Sequence, residues 1–390
     1  SGLCPSRGRV LTPHGRFAGY VWSPARADVV AVIGLVWFKQ AGYPSGAAPQ
    51  DWTPEMIAIL AGSATLSIVI QALALTIPLR RIGFRYRPVW GIRGHGLGEV
   101  SRVAKWTFGS IVVSQLGYIV TSNVLTGTTS RGAAVGEGVP GLTAYSQSFL
   151  IIMLPHGLVT VSLVTALYTS LSEAASHDDT RQVRRYHDQG MRLPAVVIVP
   201  GIAFIALLAP YIASTFFFNN SLEETRAIAV VLAVMAWLVI PMSWTYLNDR
   251  VFYAHEMTWM SFRLQCVTTS IATLGAVLAL QLDPAITAMA LSAGQVFAFS
   301  VSAAVGFWVL RRKLGPLGLR STARVYLSLL VPAVVTAVGL LIAIGQLFPD
   351  LGETRGVAGL VAGGLVLAAA GAIPLGVTWG VASLPGVPEN

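Results

Sequence analysis

The chain has 390 residues, of which 54% are hydrophobic and only 11% charged, with a formal net charge of +9. Soluble domains carry roughly 25% charged residues, so a water-exposed surface cannot be built from this composition and a soluble globular fold is excluded. The positive charge lies beside apolar runs and not on one face of a soluble domain, which argues against a nucleic-acid partner and for headgroup attraction and topology control.

In lipid, backbone groups must be satisfied within the segment, so helices are expected. The alternating strands of an outer-membrane barrel, each about ten residues long, are absent. Read by length, with about 20 apolar residues needed to cross, the chain is an all-α polytopic membrane protein of about ten transmembrane helices. They fall at Val29–Tyr43, Met56–Leu79, Val103–Leu125, Leu142–Ser170, Leu193–Phe218, Ile228–Leu247, Trp259–Leu282, Ala285–Leu310, Tyr326–Phe348 and Val357–Leu384. The first is short, and residues 1–28 form an atypical basic stretch before it. Asp283-Pro284 reads as a tight hairpin, with Pro in the first turn of the next helix.

Every second gap is rich in cations. Arg80, Arg81, Arg85, Arg87, Arg93, Arg102 and Lys105 precede the third span; Arg181, Arg184, Arg185 and Arg192 follow the fourth. Arg250 and Arg263 follow the sixth, and Arg311, Arg312, Lys313, Arg320 and Arg324 the eighth. Eighteen cations therefore lie on one side of the membrane, whereas the intervening gaps hold four: Lys39, Arg131, Arg226 and Arg355. The positive-inside rule puts the Arg-rich gaps in the cytoplasm, together with Arg7, Arg9, Arg16 and Arg26.

Ser176-His177-Asp178-Asp179 offers helix N-caps, and Thr180–Met191 then reads as a short polar helix lying on the cytoplasmic face. Gly127–Gly141, rich in Gly, Thr and Ser, reads as a flexible outer loop. Trp52, Trp90, Trp106 and Trp259 sit near span ends, where interfacial anchors sit.

No motif of a membrane enzyme is present: HExxH, a P-loop and a GxSxG elbow are all missing. Cys4 and Cys266 are the only cysteines and make no framework. The start of the chain has no secretory signal, and it begins Ser-Gly-Leu without Met, so a preceding segment is expected. His177, Asp178, Asp179, His187 and Asp188 share one gap; a metal site is conceivable there, but a solvated polar helix is the plainer reading. Gly91, Gly94, Gly96 and Gly98 follow no strand and read as a loop, not a phosphate cradle. No cofactor or metal is implied.

What remains is polarity inside apolar runs: Gln71, Gln115, Asn123, Gln147, His156, Gln265 and Gln295. Such groups face a cavity or another helix; interhelical hydrogen bonds and a substrate path are both open readings. Pro155-His156-Gly157 predicts a kink in mid-span four, and Pro241 and Pro332 predict others. Broken helices at mid-membrane are common in transporters. No acid or base is read at depth in any span, which weakens a self-contained ion-coupled carrier.

At span four the residues begin to resemble a known family. Ala144-Tyr145-Ser146-Gln147-Ser148-Phe149-Leu150, then Leu154-Pro155-His156-Gly157 and Ser162-Leu163-Val164-Thr165-Ala166-Leu167, resemble a helix of the MurJ/MviN lipid II flippases of bacterial cell-wall synthesis. Arg250-Val251-Phe252-Tyr253-Ala254-His255-Glu256 with Arg263 is similar to the basic stretch after that family's tenth helix. Phe17–Asp28, with Tyr20-Val21-Trp22-Ser23-Pro24, resembles the entry to its fifth helix, particularly in actinobacterial members. Ala104-Lys105-Trp106-Thr107-Phe108-Gly109 and Val113-Ser114-Gln115-Leu116-Gly117 resemble its seventh. The resemblance runs over nearly the whole chain from about residue 16.

The resemblance implies a fourteen-helix fold of which these spans are helices five to fourteen. Residues 29–79 would be the last two helices of a truncated N-lobe, 103–310 a six-helix C-lobe, and 324–384 a two-helix extension lining a lipid groove. It implies a bacterial plasma-membrane protein that moves undecaprenyl-diphosphate-linked precursor, lipid II, by alternating access, with membrane lipids and cell-wall synthesis proteins as further partners. The family's first four helices, with most of its cavity arginines, have no counterpart, and Leu150 stands where many members have an arginine, so the chain alone is expected to be inactive. Substrate contacts would fall to Gln115, Gln147 and His156 within the membrane and to Arg250 and Arg263 at the cytoplasmic mouth, with Pro155 and Gly157 as the helix kink. The alternatives are a polysaccharide-lipid or multidrug exporter of the same superfamily, and a non-transporting scaffold for wall synthesis onto which the 180–191 helix docks partners. A polyprenyl-phosphate enzyme ranks below these, for want of an acid cluster.

Overall fold

The computed structural model describes residues 17–43, 52–81, 97–134, 139–218 and 220–347. The tenth span, the basic residues before Phe17, Trp90 and Gly91, Gly94 and Gly96 lie outside them. Among the described residues every regular element is a helix. Among the described residues eight helical stretches are long and apolar enough to cross a membrane. Large apolar side chains stand in the open along them, Leu158 at 74%, Phe108 at 68% and Val335 at 67% exposure. Water would not tolerate so continuous an apolar surface, whereas acyl chains do.

Residues 1–95 and 96–390 are two compact units. In the first, α1 (Phe17–Gln40) packs on α2 (Pro54–Arg81). Gly34 makes that approach close: a Cβ there would overlap the Ser63 side chain. Apolar length predicts a first span from Val29, but the helix begins at Phe17 and takes in the Tyr20–Asp28 stretch. At 24 residues it is about 36 Å long, enough to cross. Beyond its end, Tyr43 donates to Glu55 at 3.1 Å, and that hydrogen bond to the carboxylate raises the phenol's pKa.

The second unit starts with α3 (Leu97–Ala134). Gly127–Ala134 is helix, in place of the loop that its Gly, Thr and Ser content predicts. Thr128, Thr129 and Ser130 donate their hydroxyls to the carbonyls of Val124, Leu125 and Thr126 at 2.8, 3.1 and 3.2 Å. Hydroxyls satisfied four residues back are accommodated by a helix. Span four is α4 (Leu142–Pro155), a π-turn at His156–Val161, and α5 (Ser162–Ser176). Pro155 closes α4 and has no N–H to give; Ser162 Oγ donates to Gly157 O, five residues back, at 3.4 Å.

A second correction concerns residues 180–191. They are not a separate helix on the membrane surface. Asp179 caps the helix by accepting from Gln182 N at 3.0 Å, and α6 then runs unbroken from Thr180 to Leu207. Val183, His187, Gly190 and Met191 lie at helical spacing on its buried face. Span five instead breaks at Leu208, where α7 (Ala209–Phe216) starts with Pro210 in its first turn.

Span six begins at Leu222 with a capping box between Ser221 and Glu224. It comprises α8 (Leu222–Met235), a 3-10 turn at Ala236–Leu238 and α9 (Val239–Ala254), with Pro241 just past the turn. Then come α10 (Thr258–Ala279), α11 (Pro284–Leu314) and α12 (Leu319–Leu347). Asp283 Oδ1 accepts from Ala285 N at 2.8 Å ahead of α11, closing the hairpin. Arg311, Arg312 and Lys313 complement the C-terminal dipole of α11, which Gly315 ends at φ +88°.

The α8–α9 stretch and α6 are the middle of the unit, with 61% and 56% of their most apolar windows buried, against 22% for α10. α4 and α11 pack on α8, α10 on α3 and α11, and α12 on α6. Ser148 Oγ donates to Ile228 O at 3.2 Å across the α4–α8 contact.

Candidate functional site

At the Arg-rich end of the second unit, α9 places Tyr246, Arg250 and Tyr253 at spacings of four and three, on one helical face. Tyr168 arrives from α5. The guanidinium carbon of Arg250 lies 4.6 Å from the Tyr246 ring centroid, 5.5 Å from Tyr168 and 6.0 Å from Tyr253. Nη2 donates to the Tyr246 hydroxyl, while Nε is buried and makes no hydrogen bond. The three rings hold the planar cation by its faces. Its edge is what binds an oxyanion, in the bidentate mode that suits phosphate.

Arg263 is exposed on α10, 4.5 Å from the Trp259 ring centroid, and Arg312 on α11 stacks on Trp308 at 3.7 Å. Deeper in α6, Asp188 and Arg192 form an ion pair at 3.0 Å, and Arg192 Nη2 donates to Ser321 Oγ at 2.7 Å. Thr322 Oγ1 donates to Asp188 at 3.1 Å, so that cluster is spent on tying α12 to α6.

His156 is drawn inward. Its Nδ1 lies 3.4 Å from Ser243 Oγ, Thr160 Oγ1 lies 2.8 Å from the same oxygen, and Tyr246 meets the ring edge-on at 5.8 Å. The side chain is buried and bonded to α9, and it lines none of the cavities described below. Pro155 and Gly157 flank it at the π-turn, and a Cβ at Gly157 would meet nothing within 4 Å. Gln147 lies toward the other end of the bundle and accepts from Asn220 Nδ2 at 3.4 Å. Gln115 is exposed on α3. Arg250 and His156 therefore share Tyr246 as a neighbour, while Gln115, Gln147 and Arg263 join neither. Among the described residues no group of three or more His, Cys, Asp or Glu comes together, and His187 is instead buried against Asn248 Oδ1 at 3.2 Å.

Three cavities matter. One of about 560 Å³ lies at the ends of α3, α4 and α8 opposite the Arg-rich end of the bundle, edged by Thr129, Thr143, Asn220 and Glu223. A second, about 200 Å³, lies among α3, α4, α10 and α11, with Tyr118, Tyr145, Gln265 and Gln295 in its walls. The third, about 50 Å³, is lined by Thr245, Asp249, Ser261, Gln265, Thr268 and Ser302. Asp249 corrects the expectation that no acid lies within a span. Apolar length ends span six at Leu247, whereas the helix continues to Ala254 and turns Asp249 into the bundle. A signal for it existed: Ser261, Gln265 and Thr268 make a polar stripe at helical spacing in an otherwise apolar α10.

The family described as "Lipid II flippase MurJ" matches residues 2–352. Among solved structures, a lipid II flippase MurJ in an inward closed conformation is similar at a TM-score of 0.61 with 14% sequence identity, over 95% of this chain and 69% of that one. The order of helices and the Pro155 and Arg250 stretches thus fall within a known membrane fold, and this chain belongs to the MurJ lipid II flippase family.

Proposed function

We propose that the chain serves transbilayer movement of lipid II, with its Arg-rich helix ends on the cytoplasmic side of the bacterial plasma membrane. The observation that carries the reading, beyond family membership, is Arg250: a guanidinium held flat by three tyrosines, with Nε unpaired, at the end of the bundle where the cations gather. An arginine whose Nε–H is unspent at that end of the bundle is suited to a diphosphate entering from the inner leaflet. Arg263, stacked on Trp259, is the more exposed first contact. Gln115 and Gln147 supply neutral polar contacts along the way outward. His156 acts through the α4–α9 contact, so its role is to hold the π-turn and Tyr246, which in turn hold Arg250. Residues 29–79 and 103–310 are assigned to the two lobes and 324–384 to the groove for the polyprenyl tail.

The test is reconstitution of the full chain into vesicles carrying fluorescent lipid II in one leaflet. With the family's first four helices supplied as a second polypeptide, lipid II is expected to reach the other leaflet faster than in protein-free vesicles, with competition by unlabelled lipid II and not by amphiphilic drug cations, whereas the chain by itself is expected to move none. Movement of drug cations alone would favour a multidrug exporter. No movement, with retention of a wall-synthesis enzyme on the vesicles, would favour a scaffold.

A further inference from the structure

The long helices of the second unit fall into two groups. α3, α10 and α11 run unbroken, and none has a proline past its first turn. α12 carries Pro332 inside, and α6 carries Pro194 and, farther out, Pro200. The α4–α5 stretch is interrupted by the π-turn, and the α8–α9 stretch by the 3-10 turn just before Pro241. These interruptions share a depth. Pro194 lies fourteen residues from Thr180, Pro332 thirteen from Leu319, Pro241 thirteen from Ala254, and Val161 fifteen from Ser176. At 1.5 Å per residue each is about 20 Å from the Arg-rich end. A proline withholds an N–H from the carbonyl four residues back, and π- and 3-10 turns inside long helices mark places that bend.

On the inner side of that level the interrupted helices are bound to one another. α5 packs on α6 and α9, and α6 on α9 and α12. Tyr168 lies 5.5 Å from the Arg250 guanidinium, His187 Nε2 meets Asn248 Oδ1 at 3.2 Å, and Arg192 donates to Ser321 at 2.7 Å. Tyr326 joins Trp244 and Met191 O at 2.9 and 3.0 Å. α3, α10 and α11 pack on each other in turn. Contact between the groups is of another kind. Phe307 of α11 meets the rings of His187 and Trp244 at 5.9 Å each, and Asn248 Nδ2 reaches Ala303 O at 3.4 Å. At the inner end the two links from one group to the other each hold a residue at positive φ, Glu256 at +58° and Gly315 at +88°. The buried core is divided as well: Ile152 and Met235 belong to one cluster outside the level, and Val164, Met191 and Leu247 to another inside it.

We propose that α5, α9 and the inner halves of α6 and α12 form one body that tilts about this mid-membrane level against α3, α10 and α11. A change of about 20° at the breaks moves the inner ends by about 7 Å. Hinged motion of this kind takes up its bending at a few positions and leaves the packed bodies intact. The tyrosine cage travels whole, because Tyr168, Tyr246, Arg250 and Tyr253 all belong to the moving body. Ser243 sits at the pivot: it gives its own proton to Val239 O at 2.7 Å, and its oxygen accepts from Thr160 of the π-turn at 2.8 Å. The joint does not depend on what the chain carries. That its tilt turns Arg250 between the inner leaflet and the membrane interior rests on the lipid II reading.

The experiment is pulsed electron spin resonance on the full chain in nanodiscs of phosphatidylethanolamine and phosphatidylglycerol, with Cys4 and Cys266 changed to Ser and nitroxides on pairs of exposed positions. Glu173→Cys with Ala323→Cys reports within the moving body, and Lys105→Cys with Arg311→Cys within the unbroken group. Glu173→Cys and Ala323→Cys, each paired with Lys105→Cys, report across the joint, and Glu223→Cys with Ile286→Cys reports at the outer end. The two cross-joint distances are expected to spread over about 7 Å more than the other three. Pro241→Ala combined with Pro332→Ala is expected to narrow them. Cross-joint distances no wider than those within the groups would overturn the proposal. So would a Glu173–Ala323 distance as wide as the cross-joint ones, since the body would then not be one, or an equally wide outer pair, since the pivot would then not lie at mid-membrane. Should the proline variant fail to fold, the distances in the chain with its prolines intact decide alone. No lipid II is present, so failure here is distinct from failure of the lipid II reading.

Discussion

Trp244 Nε1 donates to the Tyr326 hydroxyl at 2.9 Å, and that hydroxyl donates onward to the Met191 carbonyl at 3.0 Å. One phenol oxygen therefore fastens α12 to both α9 and α6. Tyr326→Phe removes both bonds and leaves an indole N–H and a carbonyl without their partner. The expected loss of stability is about 1–2 kcal/mol, read as a lower midpoint of unfolding in detergent. A midpoint equal to wild type would show that lipid or detergent satisfies those groups equally well.

Close helix approaches are expected to be sensitive at Gly306 and indifferent at Gly157. A Cβ at Gly306 would fall 2.7 Å from Asn248 Nδ2, and Asn248 is pinned by His187 at 3.2 Å and by the Ala303 carbonyl at 3.4 Å. Gly306→Ala is expected to cost about 1–3 kcal/mol, the usual range for overpacking. Gly157→Ala meets open space and gains helix propensity of up to about 1 kcal/mol. Paired melting curves of the two variants give the comparison, and equal effects would contradict it.

For Arg250 the expectation separates charge from shape. Arg250→Lys keeps the cation but loses the planar face that stacks on Tyr168, Tyr246 and Tyr253. Lipid II movement in vesicles is expected to fall about tenfold in Arg250→Lys, since each 1.4 kcal/mol is a factor of ten, and further in Arg250→Ala. Equal activity of the lysine variant would mean that a point charge suffices.

Orientation is open to a labelling test. With Cys4 and Cys266 changed to Ser, a cysteine in place of Arg184 is expected to react with an impermeant maleimide only after the cells are opened. A cysteine in place of Glu223, at the other end of the bundle, is expected to react in intact cells. The reverse pattern would invert the positive-inside assignment.

Much of this fold was legible in the sequence because apolar length is a strong signal: spans two to nine all coincide with helices. The misses came where polarity was read as the end of a helix. Arg181–Arg192 looked like a surface segment, yet Val183, His187 and Met191 already marked a buried face. Thr128–Ser130 looked like loop because hydroxyls favour turns, but in a helix they bond back to the preceding turn's carbonyls. Arg250 and Arg263 could be singled out as cations beside apolar runs, but the tyrosine cage joins α5 to α9 across 78 to 85 positions of chain, and no local pattern reveals it. His156 was recognisable as an anomaly and not as a partner of Ser243, for the same reason.

The most direct measurement is a photoreactive phenylalanine in place of Tyr246, beside Arg250, in the full chain expressed in bacteria. Irradiation is expected to yield an adduct carrying the undecaprenyl-diphosphate-linked muropeptide, lost when lipid II synthesis is blocked. An adduct of ordinary phospholipid alone, unchanged by that block, would contradict the reading of this chain as a carrier of lipid II.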